Sequence, residues 1–279
     1  MNNKQAIEWL CKQFASISDS ARLDAEILMA HVLQRPRSWL RAHDDQALTQ
    51  NQWLQLGLYS ERRIKGEPIA YILGSKEFWS LELNVSPAVL IPRPETELLV
   101  EWVLDRFPKN TVLKVLDLGT GSGTIAIALA KERCQWTIDA TDQSLMALDL
   151  AKKNSQTHRL TNINFYHGDW YQPLAGKKYD VIVSNPPYLA NQDPHLKQLT
   201  FEPYEALVAG EQGFEDLQII IEKAQNHLLP SGYLVLEHGY DQSQKVISFL
   251  EQKNLINIQV HQDYSGHPRF ATAQLPSSC

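Results

Sequence analysis

The sequence predicts an α/β protein, in which helices cover both faces of a mostly parallel sheet and a small helical bundle precedes the sheet. Two observations predict the sheet. Strand-like and helix-like segments alternate from about residue 95 to the C-terminus, and a glycine-rich turn joins one such strand to the helix after it. A third observation, the helical spacing of apolar residues within residues 1–75, predicts the bundle.

Residues 1–75 are predicted to form helices without strands. Apolar residues recur at three- and four-residue intervals in three stretches, 7–14, 23–32 and 48–64. Pro36 is suited to the first turn of a further short helix, because proline lacks an N–H that the first turn would leave unpaired. We therefore predict a bundle of four helices as the first domain.

Residues 76–92 have a different pattern. Apolar and polar residues alternate over 81–85, which predicts a strand, and Pro87 and Pro92 then interrupt the chain. We predict an extended or β-hairpin linker over 76–92, followed by the main domain at 93–279.

The main domain is predicted from its alternating pattern. Strands are predicted at 112–118, 136–141, 163–167, 179–184 and 232–237, with a closing pair at 256–261 and 270–275. Helices are predicted at 124–131, 145–155, 216–229 and 242–253. Ligands of such a sheet bind beyond the carboxyl ends of its strands, so the residues that follow each strand are the candidates for function.

Charge and composition exclude several classes of protein. The formal net charge is −6, nearly neutral over residues 1–75 and −7 over the remainder, which lacks the basic character of a tight nucleic-acid binder. The apolar run at 112–130 is interrupted by charges and glycines, and the N-terminus lacks a signal-peptide core. We expect a cytoplasmic protein without a membrane span.

Cysteine and histidine spacing predicts no structural metal. The three cysteines, Cys11, Cys134 and Cys279, are far apart and match neither a disulfide framework nor a zinc motif. The nine histidines form no ligand cluster.

A candidate cofactor loop follows the strand at 112–118. It consists of Gly119, Thr120, Gly121, Ser122 and Gly123. Asp142 follows the next strand, where its carboxylate is suited to accept hydrogen bonds from both hydroxyls of a ribose. The third glycine of a dinucleotide motif would fall at Thr124, so the G-x-G-x-G pattern favours S-adenosylmethionine over NAD.

A second candidate cofactor segment is Gly168-Asp169-Trp170, which follows the third strand. In this architecture we expect the segment to lie beside the adenine of the cofactor. Asp169 would accept a hydrogen bond from the exocyclic amine of the adenine, and Trp170 would pack near the adenine ring. The alternative is a turn that ends a strand with a half-buried tryptophan.

The strongest signal is the tetrad that follows the strand at 179–184. Its residues are Asn185, Pro186, Pro187 and Tyr188. An amide nitrogen is a weak nucleophile, because its lone pair is delocalised into the carbonyl. The Asn185 side chain and the Pro186 backbone offer oxygens that accept both of its N–H groups, and Tyr188 offers a ring face. The tetrad therefore predicts methylation of a planar amide or amine nitrogen.

The chain resembles the bacterial release-factor glutamine methyltransferases, the HemK/PrmC family, over nearly its whole length. Besides the tetrad and the glycine loop, four groups of residues carry the resemblance. They are Leu23–Leu28 with His31–Leu33, Ile91–Glu97, Phe201–Pro203 with Ala206, Leu207 and Gly210, and Asp263 with Gly266 and Arg269.

The resemblance implies a Rossmann-like, seven-stranded methyltransferase domain and S-adenosyl-L-methionine as cofactor. It implies that Gly119–Gly123, Asp142, Trp170 and Asn185 contact this cofactor. It also implies a substrate, the glutamine of the Gly-Gly-Gln loop of peptide-chain release factors, held by Asn185–Tyr188. The bundle is then expected to recognise the release factor. We expect a monomer that binds no nucleic acid stably.

Three other functions are compatible with some of these motifs. A DNA or RNA adenine N6-methyltransferase would use the same tetrad, but predicts a basic surface and an added base-recognition domain. A ribosomal-protein glutamine methyltransferase shares most motifs, and the stretch at 92–96 favours release factors over it. A non-enzymatic adapter with a decayed site would not need Asp142 and Asn185.

Three charged residues beside the linker have no assigned role. Arg93, Glu95 and Glu97 either line the substrate entrance or serve the helix that begins near Glu95, since carboxylates suit the N-terminal helix dipole. The pattern favours the helix for the two glutamates and leaves Arg93 undecided.

Overall fold

The computed structural model describes residues 1–277, which fall into two compact units, Met1–Ser75 and the chain from Lys76 onward. Each unit has its own hydrophobic core. Cys279 lies outside the described residues. The hairpin, apart from its first residue Ser75, belongs to the second unit.

The first unit is helical. Its helices are α1 Asn3–Phe14, α2 Ala21–Leu33, α3 Arg37–Ala42, α4 Gln50–Ile64 and α5 Ile69–Leu73. A reciprocal capping box begins α1, because Asn2 Oδ1 accepts from the Gln5 N–H and Gln5 Oε1 accepts from the Asn2 N–H. Leu10, Phe14 and Leu28 of the apolar stripes are completely buried. Burial of each such side chain stabilises the folded state by about 1.5–3 kcal/mol. The short α5 was not predicted.

The second unit contains the hairpin and the alternating α/β elements. The strands are β1 Ser75–Phe78, β2 Leu81–Asn84, β3 Lys114–Leu118, β4 Thr137–Asp142, β5 Ile163–His167, β6 Tyr179–Ser184, β7 Leu228–Glu237, β8 Ile256–Gln262 and β9 Pro268–Gln274. The helices are α6 Glu97–Arg106, α7 Thr124–Glu132, α8 Leu145–Thr157, α9 Glu215–His227 and α10 Ser243–Gln252.

Seven of the described strands form one sheet in the order β5-β4-β3-β6-β7-β9-β8. The first five strands of this order run parallel, and β9 runs antiparallel to both of its neighbours. The chain order reverses between β3 and β6, which is where α/β sheets bind ligands. The predicted seven-stranded, Rossmann-like sheet is thus confirmed.

Two hydrophobic cores cover the faces of this sheet. Strand β3 sends Val115 into one core and Leu116 into the other, because successive side chains of a strand point to opposite faces. Residues of α6 and α7 fill the first core, and residues of α9 and α10 fill the second. The prediction of helices on both faces is confirmed.

The junction of α9 and β7 differs from the sequence prediction. The helix predicted at 216–229 ends at His227, and Leu228 already pairs with Tyr179 of β6. Pairing between β6 and β7 therefore places Leu228 and Leu229 in a strand, although their spacing fits the preceding helix. The local sequence does not reveal this pairing.

None of the helices in the described part of the chain combines the length and apolar character needed to cross a bilayer. Over residues 1–277, no three His, Cys, Asp or Glu side chains converge in a way that could hold a metal ion.

Candidate active site

One cavity of about 490 Å³ lies at the carboxyl ends of β3, β4 and β6, and residues of the second unit alone line it. Leu118 of β3 pairs with both Thr141 of β4 and Ser184 of β6, so the segments after these strands start at the same edge of the sheet. The predicted site residues that line the cavity are Gly119, Thr120, Gly121, Ser122, Asp142, Asp169, Trp170, Asn185 and Pro187.

Three predicted site residues are not among the lining residues: Gly123, Pro186 and Tyr188. Gly123 has a φ of +86°, and a Cβ atom there would lie 2.7 Å from the Ile127 side chain and 3.2 Å from Ala151. Its lack of a side chain therefore lets α7 approach α8 closely, rather than exposing backbone to a ligand.

Gly119 lets the Trp170 ring pack closely against the glycine loop at the cavity wall. It adopts a φ of +69°, and a Cβ atom would lie 3.2 Å from the Trp170 ring. Trp170 itself has a φ of +45°, and its side chain lowers the pKa of Asp216, which burial raises more strongly, to about 6. Asp169 beside it is exposed and lines the cavity, so its carboxylate is free to meet a ligand.

Asp142 joins two backbone segments at the cavity. Its Oδ2 accepts from the Gly121 N–H at 2.8 Å, and its Oδ1 accepts from the Ser144 N–H at 2.8 Å. Burial raises the pKa of Asp142, against the lowering effect of these two bonds. Each carboxylate oxygen can accept a further hydrogen bond, so capacity remains for two ligand hydroxyls.

Asp117 is a cavity residue that sequence reasoning missed. It is 1% exposed, and its Oδ2 accepts from Thr120 Oγ1 at 2.6 Å and from the Ala126 N–H at 3.1 Å. Among the described residues its Oδ1 has no hydrogen-bond partner. Burial raises its pKa to about 7. The available signal was a carboxylate inside an apolar strand, two residues before the glycine loop.

Asn185 directly follows β6 and lines the cavity. Its Nδ2 donates to Thr96 Oγ1 at 3.1 Å. Tyr188 lies further along, where its backbone carbonyl accepts from Gln242 Nε2 at 2.9 Å. Burial and the nearby Glu237 carboxylate raise the pKa of the Tyr188 phenol.

The linker and a later loop supply cavity walls that the sequence did not indicate. Pro87–Pro92 and Pro203–Ala206 both contribute lining residues. The buried Glu202 ties these segments together, because its Oε2 accepts from the Ile91 N–H at 3.0 Å and its Oε1 pairs with Arg93 Nη2 at 2.5 Å. Arg93 therefore holds two cavity walls together.

The two glutamates near Arg93 differ in their surroundings. Glu97 lies in the first turn of α6, as the sequence favoured, and its Oε1 accepts from the Trp79 N–H at 2.8 Å. Glu95 is half-buried in a 3-10 helix at Pro94–Thr96, within electrostatic reach of Tyr188 and Glu237.

Comparison with known proteins identifies the two domains of the chain and its family. Residues 5–74 match the family model "PrmC N-terminal domain", and residues 95–202 match "Methyltransferase small domain". The release factor glutamine methyltransferase of Coxiella burnetii is 48% identical, covering 97% of this chain and 98% of that protein. The protein of the same name from Escherichia coli is 44% identical, covering 94% and 95%.

This chain belongs to the release factor glutamine methyltransferase family. Solved structures support the fold of its methyltransferase domain. The T. thermophilus 16S rRNA N2 G1207 methyltransferase, solved with AdoMet and guanosine, superposes with a TM-score of 0.55 at 20% identity, covering 72% of this chain and 49% of that one. At that identity the likeness concerns the fold alone.

Proposed function

We propose that this protein transfers a methyl group from S-adenosylmethionine to the side-chain amide nitrogen, N5, of the glutamine in the Gly-Gly-Gln motif of peptide-chain release factors. One observation carries the proposal: a single cavity is lined by Asn185, by residues 119–122 of the glycine loop and by Asp142. The names of the curated relatives support the choice of substrate.

The residues of the cavity fit S-adenosylmethionine. Gly121 leaves room for a ligand to approach the backbone, because no atom lies within 4 Å of the position of a Cβ there, and Asp142 retains acceptor capacity for the ribose hydroxyls. The free Oδ1 of Asp117 suits a cationic amino group, since a buried carboxylate oxygen without a partner is costly. Asp169 and Trp170 would lie beside the adenine. When bound, this cofactor supplies a methyl group on a positively charged sulfur.

The tetrad would act on the nitrogen by positioning it. The Asn185 side-chain oxygen and the Pro186 backbone carbonyl would accept the two N–H groups of the glutamine, which holds the nitrogen and raises its electron density. A strong base is not required before attack, because the nitrogen becomes acidic as it gains the methyl group. Tyr188 would pack its ring against the planar amide.

The bundle at 1–75 would recognise the release factor, and the hairpin segment at 76–92 would connect it to the transferase domain at 93–279. The protein would act as a monomer in the cytoplasm without stable nucleic-acid binding. The charge of −7 after residue 75 supports this choice over an adenine methyltransferase.

The test uses methyl-labelled S-adenosylmethionine with three substrates. They are a release factor, the same factor with its loop glutamine changed to alanine, and an adenine-containing RNA. Mass spectrometry should locate the label on the loop glutamine of the intact factor. Label on the alanine variant or on adenine would contradict the proposal.

A further inference from the structure

A hydrogen-bonded chain links the tetrad to a buried carboxylate on another strand. Asn185 Nδ2 donates to Thr96 Oγ1 at 3.1 Å, and Thr96 Oγ1 donates to Glu237 Oε2 at 2.7 Å. Thr96 is 3% exposed and Glu237 is 1% exposed, so water does not compete for these bonds. Thr96 belongs to a 3-10 helix, Asn185 directly follows β6, and Glu237 ends β7.

These two hydrogen bonds determine which way the Asn185 amide points. A threonine hydroxyl has one hydrogen, and here Glu237 accepts it. The Thr96 oxygen can then only accept from Asn185, which requires the NH2 group to face Thr96. Within the described residues, the Asn185 side chain makes no other hydrogen bond, so its Oδ1 remains available at the cavity that Asn185 lines.

The opposite orientation would be unproductive. A protonated Glu237 could donate to Thr96, which would then donate to the Asn185 oxygen and turn the NH2 group toward the cavity. Two NH2 groups would then face each other, and neither nitrogen offers an acceptor. The charge on Glu237 therefore decides which atom of Asn185 a substrate amide meets.

We infer that Thr96 and Glu237 are positioning residues, which hold the Asn185 amide with its oxygen toward the substrate. This inference rests on the proposed role of Asn185 in binding the glutamine amide. Neither residue lies in the tetrad, and 89 residues separate Thr96 from Asn185 along the chain.

The surroundings of Glu237 make its charge sensitive to pH. Burial and the Glu95 carboxylate raise its pKa, whereas Arg269, Arg93 and the Thr96 hydroxyl lower it, with a result of about 7. Tyr188 also faces this carboxylate. Because the ionised form is the productive one, we expect kcat to fall as the pH drops through about 7.

The first test compares Thr96→Val, Thr96→Ser and Thr141→Val. Thr96→Val should lower kcat for release-factor methylation by roughly 10- to 100-fold, with cofactor affinity unchanged. Thr96→Ser keeps the hydroxyl and should restore most of the rate. Thr141→Val is the matched control, because its buried hydroxyl has no hydrogen-bond partner among the described residues. Wild-type turnover in Thr96→Val would overturn the inference.

The second test needs no substrate and no cofactor. The side-chain NH2 signals of Asn185 in ¹⁵N-labelled protein, assigned by their loss in Asn185→Ser, should shift with pH in the wild type. They should not titrate in Glu237→Gln, whose kcat should also lose its acid limb. Identical titrations in both proteins would overturn the inference, even if Thr96→Val failed to fold. If the wild-type protein transferred no labelled methyl group to the release factor, the proposed function would be refuted. The titration of the Asn185 NH2 signals would still show whether Glu237 sets the orientation of the Asn185 amide.

Discussion

The Asp142 Oδ2 atom lies 2.8 Å from the Gly121 nitrogen, so the carboxylate after β4 holds the glycine loop after β3. The same side chain lines the cavity with capacity for further hydrogen bonds. One residue therefore shapes the loop and faces the proposed ribose site.

This geometry predicts the effect of removing the carboxylate. Asp142→Ala should weaken the binding of S-adenosylmethionine by roughly 1.5–3 kcal/mol, the range for hydrogen bonds to a charged group. Isothermal titration calorimetry measures this loss directly. Asp149→Ala, which removes an exposed carboxylate on α8, serves as control. Unchanged affinity in Asp142→Ala would refute the ribose assignment.

Asn185 is expected to affect the chemical step more than cofactor binding. Asn185→Ala should lower kcat by roughly 100-fold or more, because an acceptor that fixes the reacting nitrogen is lost. Steady-state kinetics with a release factor and calorimetry with the cofactor separate the two effects. The exposed Asn191→Ala is the control. Near wild-type turnover in Asn185→Ala would exclude Asn185 from the mechanism.

Asp117 should make the stability of the protein depend on pH. Burial raises its pKa from 3.8 to about 7, so the folded state holds this proton more tightly than the unfolded state. Its contribution therefore reduces the free energy of unfolding as pH rises from about 4 to about 7, with no further change above that range.

Urea denaturation of the wild type and Asp117→Asn at several pH values tests this effect. The variant should lack the decrease in the free energy of unfolding that Asp117 causes. Its free energy of unfolding should therefore increase relative to that of the wild type as pH rises. Glu237 remains in both proteins, and its own contribution cancels in the comparison. Parallel curves for the two proteins would show that Asp117 does not titrate in this window.

The bundle is expected to serve the protein substrate rather than the cofactor. Every residue that lines the cavity lies between Pro87 and Ala206, and the second unit has its own core. Deletion of residues 1–75 should therefore reduce release-factor methylation much more than cofactor affinity. Methylation assays and calorimetry on the same preparation provide the comparison. Equal loss of both would mean that the bundle is needed only for folding.

Much of the site could be predicted because its chemistry is local in the sequence. A glycine run after a strand predicts a turn with positive φ values, and Gly119 and Gly121 adopt them at the cavity. Gly123 shares the pattern but serves helix packing instead. Spacing alone cannot separate these two uses, because the neighbour that each glycine meets comes from elsewhere in the chain.

Contacts between distant segments could not be predicted in the same way. The wall held by Arg93 and Glu202 joins residues 109 positions apart, and the segment at 87–92 carried only the signal of a proline-rich linker. The early start of β7 at Leu228 likewise depends on pairing with Tyr179. Such pairings arise from the sheet, which local propensity does not encode.

By itself, the sequence determined the order of strands and helices, the glycine turn and the position of the tetrad Asn185–Tyr188 after a strand, because these depend on spacing and on neighbouring residues. Only the tertiary structure decided which strands are adjacent, how Thr96 and Glu237 orient Asn185, and that the Asp117 carboxylate is desolvated. The physical reason is that hydrogen-bond direction and burial are set by groups far away in the chain, brought together when the sheet forms and water is excluded.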